Sequence, residues 1–175
     1  MRLSLALAAA LTVTLAAAPP ASSACSGAGD SPEHATKRAL VRATLCVLNA
    51  RRARHELRPL RLNRKLGSAA RRHSRAMVRE HFFSHTSPEG STFVDRIRAS
   101  GYLSGARSWS VGENIAWGSG SRSTPRSIAR SWMNSPGHRA NILSRSFRHI
   151  GIGIASGSPV GTGGGTYTTD FGRRD

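Results

Sequence analysis

Between Ile150 and Ala155 a large side chain and a minimal one alternate without interruption: Ile150, Ile152 and Ile154 against Gly151, Gly153 and Ala155. A period of two belongs to a strand, and this strand has one bulky face. Its position matters as much as its pattern. From about residue 34 to residue 100 the chain reads as helix or loop, and the strands lie mostly behind that region. Val111 to Trp117 reads as a short strand. Thr166 to Phe171 reads as the last one, after a Gly-rich turn from Gly157 to Gly165, with Tyr167 and Phe171 near its ends. Helices first and strands mostly last leave no βαβ rhythm. That order points to an α+β fold with an antiparallel sheet, and away from a parallel nucleotide-binding sheet.

The helical segments carry their own punctuation. From His34 to His55, Leu40, Thr44, Val47 and Leu48 share one stripe, with Arg38, Arg42, Arg51 and Arg52 largely elsewhere. Pro59 interrupts. Asn63 is a good N-cap with Leu62 ahead of it as a staple, and the next helix, from about Arg64 to Glu80, sets Leu66, Ala69, Ala70, His73 and Met77 at helical spacing. A short helix near Thr92–Ser100 places Phe93 and Ile97 four apart and ends at Gly101. Thr124-Pro125 and Ser135-Pro136 are each a cap followed by proline at the first helical position. The first of these helices buries Ile128, Ala129, Trp132 and Met133, and the second runs through Leu143.

A chain of 175 residues has room for one domain with a real core. Its organisation reads as a signal peptide over 1–24, a flexible N-terminal tail over 25–35 and a single domain over 36–175. Arg2 supplies a short positive region, Leu3 to Ala18 is nearly all Leu, Ala, Val and Thr, and Ala21-Ser22-Ser23-Ala24 offers a small-x-small cleavage site. The apolar run is about 16 residues, short of the roughly 20 that span a bilayer. Secretion is therefore expected, with no transmembrane segment in the mature protein. Lipid anchoring at Cys25 is disfavoured, because Ser22 stands where a lipobox has Leu or a similar residue. The two cysteines, Cys25 and Cys46, both lie early. In an exported chain they are expected to pair, tying the tail to the first helix.

Charge narrows the partners. Lys+Arg is 26 against Asp+Glu 9, a net charge of +17, and all the basic residues except Lys37 and Lys65 are arginine. Such a surface attracts anionic cell-envelope polymers, teichoic acids among them, or anionic lipid. The arginines are scattered without interleaved aromatics, so no specific nucleic-acid partner is expected. A monomer is expected.

Three segments carry the candidate chemistry. His85 lies in a Phe-Ser-His loop, Glu113 in Gly112-Glu113-Asn114 at a strand start, and His138 in Ser135-Pro136-Gly137-His138 at a helix start. Two imidazoles and a carboxylate suit a Zn²⁺ site or a proton relay. A lone loop histidine is more often simply hydrogen-bonded, and Glu113 alone suits a structural ion pair. No contiguous metal motif such as H-E-x-x-H is present, and no Gly-x-Ser-x-Gly elbow. His138 in a first helical turn would sit near the positive end of the dipole, which disfavours its protonated form.

Taken in order, these segments carry a resemblance. Asn49 with Arg52 comes first, then Leu60-x-Leu62-Asn63-x-x-Leu66 and Phe83-Ser84-His85-Thr86-Ser87-Pro88-x-Gly90. Gly112-Glu113-Asn114-Ile115-Ala116-x-Gly118, Trp132-Met133-Asn134-Ser135-Pro136-Gly137-His138-Arg139-x-Asn141-Ile142-Leu143 and Gly151-Ile152-Gly153 follow. The chain resembles the CAP superfamily (cysteine-rich secretory proteins, antigen 5 and pathogenesis-related proteins) in its bacterial, SCP-like branch, over about residues 40–172. The resemblance implies a three-layer α/β/α sandwich with a central antiparallel sheet and a large open cleft. It implies that His85, Glu113 and His138 converge there, supported by Ser135 and Asn114, as three members of a tetrad of two histidines and two acidic residues able to hold a divalent metal, Zn²⁺. The fourth member falls near Asn134 or Ser135, neither of which is acidic.

The resemblance assigns no activity, and no catalytic residue is named. The favoured reading is a secreted binding or scaffold module with a metal-capable His/Glu cleft, acting at or outside the cell envelope. One alternative is a metal-dependent, protease-like hydrolase using the same cleft. In it, His85 and His138 bind the metal and Glu113 is ligand or general base. The other is a cell-wall adhesion protein driven by charge.

Overall fold

The computed structural model describes residues 25–161 and 163–175. The expected signal peptide, 1–24, lies outside them. Helix α1 (Lys37–Ala53) starts where the Thr36 side chain accepts a hydrogen bond from the Ala39 amide, and it buries Leu40, Ala43, Thr44, Val47 and Leu48. A two-residue strand, β1 (Arg61–Leu62), leads into α2 (Arg64–Arg79), whose Asn63 cap accepts from the amides of Lys65 and Leu66. Thr92 and Asp95 form a reciprocal capping box on α3 (Phe93–Ala99). The long strand β2 (Trp109–Gly118) follows, then α4 (Pro125–Asn134) and α5 (Pro136–Leu143), each opened by a proline. Strands β3 (His149–Ser156) and β4 (Gly165–Arg174) end the domain.

The sheet order is β1-β3-β4-β2, with β2 on an edge. The three long strands pair antiparallel, as the element order implies. β1 departs from that pattern and runs parallel to β3, with Arg61 opposite His149 and Leu62 opposite Ile150. The departure is local: Asn63, which caps α2, also donates its amide to the Ile150 carbonyl, so the entry to α2 is stitched to the sheet edge.

Helices cover both faces. Ile150, Ile152, Ile154, Tyr167 and Phe171 pack with residues of α1, α4 and α5, including Leu40, Leu48, Ile128 and Trp132. On the opposite face α2 lies directly on the sheet. A Cβ on Gly151 would stand 2.1 Å from the Leu66 carbonyl carbon, and one on Gly153 2.2 Å from that of Ala70. Only glycine lets the helix backbone approach that closely. The result is the α/β/α sandwich.

Residues 25–35, expected to be flexible, are docked. Cys25 and Ala28 are buried in the main core, Arg126 donates its amide to the Ala28 carbonyl, and the Ser156 hydroxyl donates to the Pro32 carbonyl. The anchor is the Cys25–Cys46 disulfide, which spans 21 residues. A loop of that size corresponds to about 3 kcal/mol of lost unfolded-state entropy. The bond also engages the sulfur that a lipid anchor would need. Among the described residues no helix is long and apolar enough to cross a membrane.

Candidate functional site

Side chains alternate across β2, so neighbouring residues serve opposite layers. Glu113 faces the α2 layer and Asn114 the α5 layer. The Asn114 amide donates to the His138 carbonyl at 3.0 Å, and its oxygen accepts from the Asn141 amide at 2.8 Å. The site is thus wrapped around a sheet edge, with His85 and Glu113 on one side of β2 and the backbone of His138 tied to the other.

Glu113 is the hub. Its Oε1 lies 2.8 Å from Nδ1 of His85, and Arg96 Nη2 donates to both carboxylate oxygens, at 3.1 and 2.8 Å. Arg96 also donates to the carbonyls of His85 and Ser91, which pins the 85–91 loop above the strand. The Glu113 side chain is 1% exposed and that of Arg96 11%, whereas His85 remains 48% exposed. An ionised Glu113 orients His85 with Nδ1–H inward, leaving Nε2 toward solvent.

Behind Glu113 stands Asp170, its cross-strand neighbour on β4. Burial opposes ionisation of both. At Glu113 the hydrogen bond from His85 and the charge of Arg96 outweigh burial and hold the carboxyl below its ordinary range. At Asp170 burial comes first, the negative charge of Glu113 adds to it, and the pKa rises well above the usual value. The two carboxyls are thus pushed apart, Glu113 toward its charged form and Asp170 toward its protonated one. Among the described residues, Oδ1 of Asp170 is buried without a hydrogen-bond partner. So is Nδ1 of His73, whose Nε2 meets the Ser84 carbonyl at 3.0 Å and whose pKa burial lowers.

His138 is half-buried in the first turn of α5. Burial lowers its pKa, and the nearby charge of His85 lowers it further. Its ring makes no hydrogen bond with Glu113. Ser135 occupies the N-cap position of α5, but its side chain makes no capping bond, so Pro136 and the backbone bond from Arg139 to Ser135 start that helix.

A divalent ion needs several lone pairs converging on one point. Here both Glu113 oxygens are engaged by His85 and Arg96, and the positive charge beside them belongs to Arg96. Among the described residues no three His, Cys, Asp or Glu side chains form a ligand group. The donor set around Glu113 does not fit a metal.

Arg96, Asp170 and His73 have no place in the sequence-derived site. Arg96 is one of many arginines and carries no local mark. Asp170 does carry one, as the lone carboxylate in a strand otherwise made of Gly, Thr, Tyr, Phe and two terminal arginines.

The model of the cysteine-rich secretory protein family, CAP, matches residues 45–169. The uncharacterised protein YkwD of Bacillus subtilis (strain 168) is 38% identical over 113 residues, covering 64% of this chain and 41% of that protein. An extracellular protein containing an SCP domain from Bacillus anthracis str. Ames superposes with a TM-score of 0.62 at 28% identity, covering 78% of this chain and 43% of that one. An outer surface protein of Borrelia burgdorferi superposes with a TM-score of 0.66 at 18% identity, covering 81% of this chain and 97% of that one, a likeness of fold alone. The chain thus spans less than half the length of YkwD and of the Bacillus anthracis protein.

Proposed function

Since this chain belongs to the cysteine-rich secretory protein family, whose membership leaves activity open, we propose that it works outside the cytoplasm as a monomeric binding module. In this reading the binding surface is the β2 edge between His85 and His138. One observation carries the choice of binding over hydrolysis: Glu113 is buried beneath Arg96 and His85 with both oxygens engaged. A general base must reach the proton it removes, and a metal ligand must offer a free lone pair. Glu113 offers neither, so its role is to hold His85 and Arg96 in place.

The apolar run at the chain start, the disulfide and the extracellular setting of the Bacillus anthracis relative support export. N-terminal sequencing of the protein recovered from culture medium is expected to begin at Cys25.

Titration of the purified protein with Zn²⁺ checks the binding-module reading. The expected result is no stoichiometric heat and no difference between wild type and His138→Ala. One-to-one binding that His138→Ala abolishes overturns the purely positioning role of Glu113 and reopens the metal-dependent hydrolase.

The net charge of +17 favours a second mode, attraction to anionic envelope polymers. Exposed charges are screened beyond about 8–10 Å at physiological ionic strength, so retention on isolated cell wall should fall steeply with salt.

A further inference from the structure

Helix α2 turns a basic stripe to solvent, opposite its buried face. Arg72, Arg75 and Arg79 are exposed and recur at i, i+3 and i+7, a run of about 10 Å. The stripe walls a groove of about 350 Å³, with Arg96 and Ser87 on its other side. These arginines are held differently. Arg96 is fixed by Glu113 and by the carbonyls of His85 and Ser91. Arg72 donates to the Ser68 hydroxyl, Arg79 pairs with its neighbour Glu80, and Arg75 has no hydrogen bond or ion pair to a described residue. Exposed pairs of this kind contribute little, so the three arms exchange partners at small cost.

A second arginine-rich hollow, of about 340 Å³, includes Arg52 and Arg148. There Arg52 donates to the carbonyls of Arg58, Ile142 and Ser144, and Arg148 to that of Phe147. Those two guanidiniums satisfy backbone, and the exposed Arg58 and Arg145 of the same hollow lie outside any helix. In the α2 groove Arg96 is likewise engaged, and Arg72, Arg75 and Arg79 present theirs outward in a row along one helix.

We propose that the α2 groove binds a phosphodiester chain without nucleobases, of the polyol-phosphate kind. A tetrahedral phosphate accepts planar guanidinium forks from several directions at once, here from Arg72, Arg75 and Arg79 on the α2 wall. A stripe of about 10 Å exceeds one phosphate and suits successive ones. Glu89 at the rim disfavours a denser polyanion. No exposed aromatic ring lines the groove, so it offers a nucleobase nothing to stack on. The proposal rests on the reading of this chain as an envelope-facing binding module and names the surface and ligand chemistry.

The test is a binding titration of the purified protein with a synthetic glycerol phosphate oligomer at low salt. A thymidine oligonucleotide of equal phosphate number is titrated beside it. The groove variant Arg72→Gln/Arg75→Gln/Arg79→Gln is compared with Arg38→Gln/Arg42→Gln/Arg139→Gln, which removes equal charge from exposed positions elsewhere. The groove variant should lose about tenfold or more in affinity for the glycerol phosphate oligomer, about 1.4 kcal/mol, and the control variant less than about threefold. Equal losses in the two variants overturn the groove and leave general charge-driven binding standing. No binding by the wild-type protein overturns the groove and the charge-driven mode together. Oligonucleotide binding of equal strength, with the same loss in the groove variant, overturns the assignment to a base-free chain.

Discussion

Toward α1, α4 and α5 the sheet presents Ile150, Ile152, Ile154, Tyr167 and Phe171; toward α2 it presents Gly151, Gly153, Thr168, Asp170 and Glu113. Strands β3 and β4 supply both sets, since alternate residues point to opposite faces, and β2 adds Glu113 to the second. The first set makes a dry core, where stabilisation follows apolar area at roughly 25 cal/mol per Å² and little depends on direction. The second brings a helix backbone almost into contact with the strands and closes buried polar groups between them. Ser74 bonds to Thr168 there at 2.9 Å, and Glu113 collects Arg96, His85 and Asp170. Buried ionic networks add little net stability, but their geometry is demanding. One face therefore holds the domain together, and the other holds side chains in defined places at the β2 edge.

The largest expected effect breaks the dry face. Trp132 is fully buried and its indole donates to the Ile115 carbonyl at 3.0 Å. Trp132→Ala should cost about 3–5 kcal/mol in urea or thermal unfolding. A loss under about 1 kcal/mol would place the stability elsewhere.

A smaller effect is expected from crowding the close face. In Gly153→Ala the new methyl would meet the Ala70 backbone, which no rotamer change relieves. Helix α2 must lift, at about 1–3 kcal/mol. The same unfolding series reads it, and a cost indistinguishable from zero would mean that α2 rides loosely on the sheet.

The smallest effect has the opposite sign. Asp170 has a raised folded pKa, so its contribution is fully present below the unfolded value of about 3.9 and is lost as pH rises toward the folded value. Asn at this position needs no proton and still donates to Glu113. Asp170→Asn should match wild type near pH 4 and exceed it at pH 7–8 in thermal melts. Glu113, whose pKa is lowered, works the other way: its contribution is present above about pH 4.3 and is lost as pH falls through the folded value. If Asp170→Asn gains nothing at high pH, Asp170 does not carry the buried proton.

The sequence by itself determined the parts list. Caps at Thr36, Asn63, Thr92 and Thr124 start helices because a side-chain oxygen satisfies amides within three residues, a strictly local transaction. The Ile-Gly alternation of β3 is equally local, and it foretold a strand with one bulky face. Of the site, His85, Glu113 and His138 were legible only through motif resemblance, since nothing in their own spacing brings them together. The tertiary structure decided which groups meet: Arg96 reaches Glu113 across 17 residues, His85 across 28, and Asp170 from the neighbouring strand. It also decided the docking of residues 25–35, the parallel pairing of β1 and the charge state of the carboxyl pair. The physical reason is common to all of these. Desolvation, ion pairing and strand partnership depend on what lies within a few ångströms in space, and no periodicity along the chain encodes that.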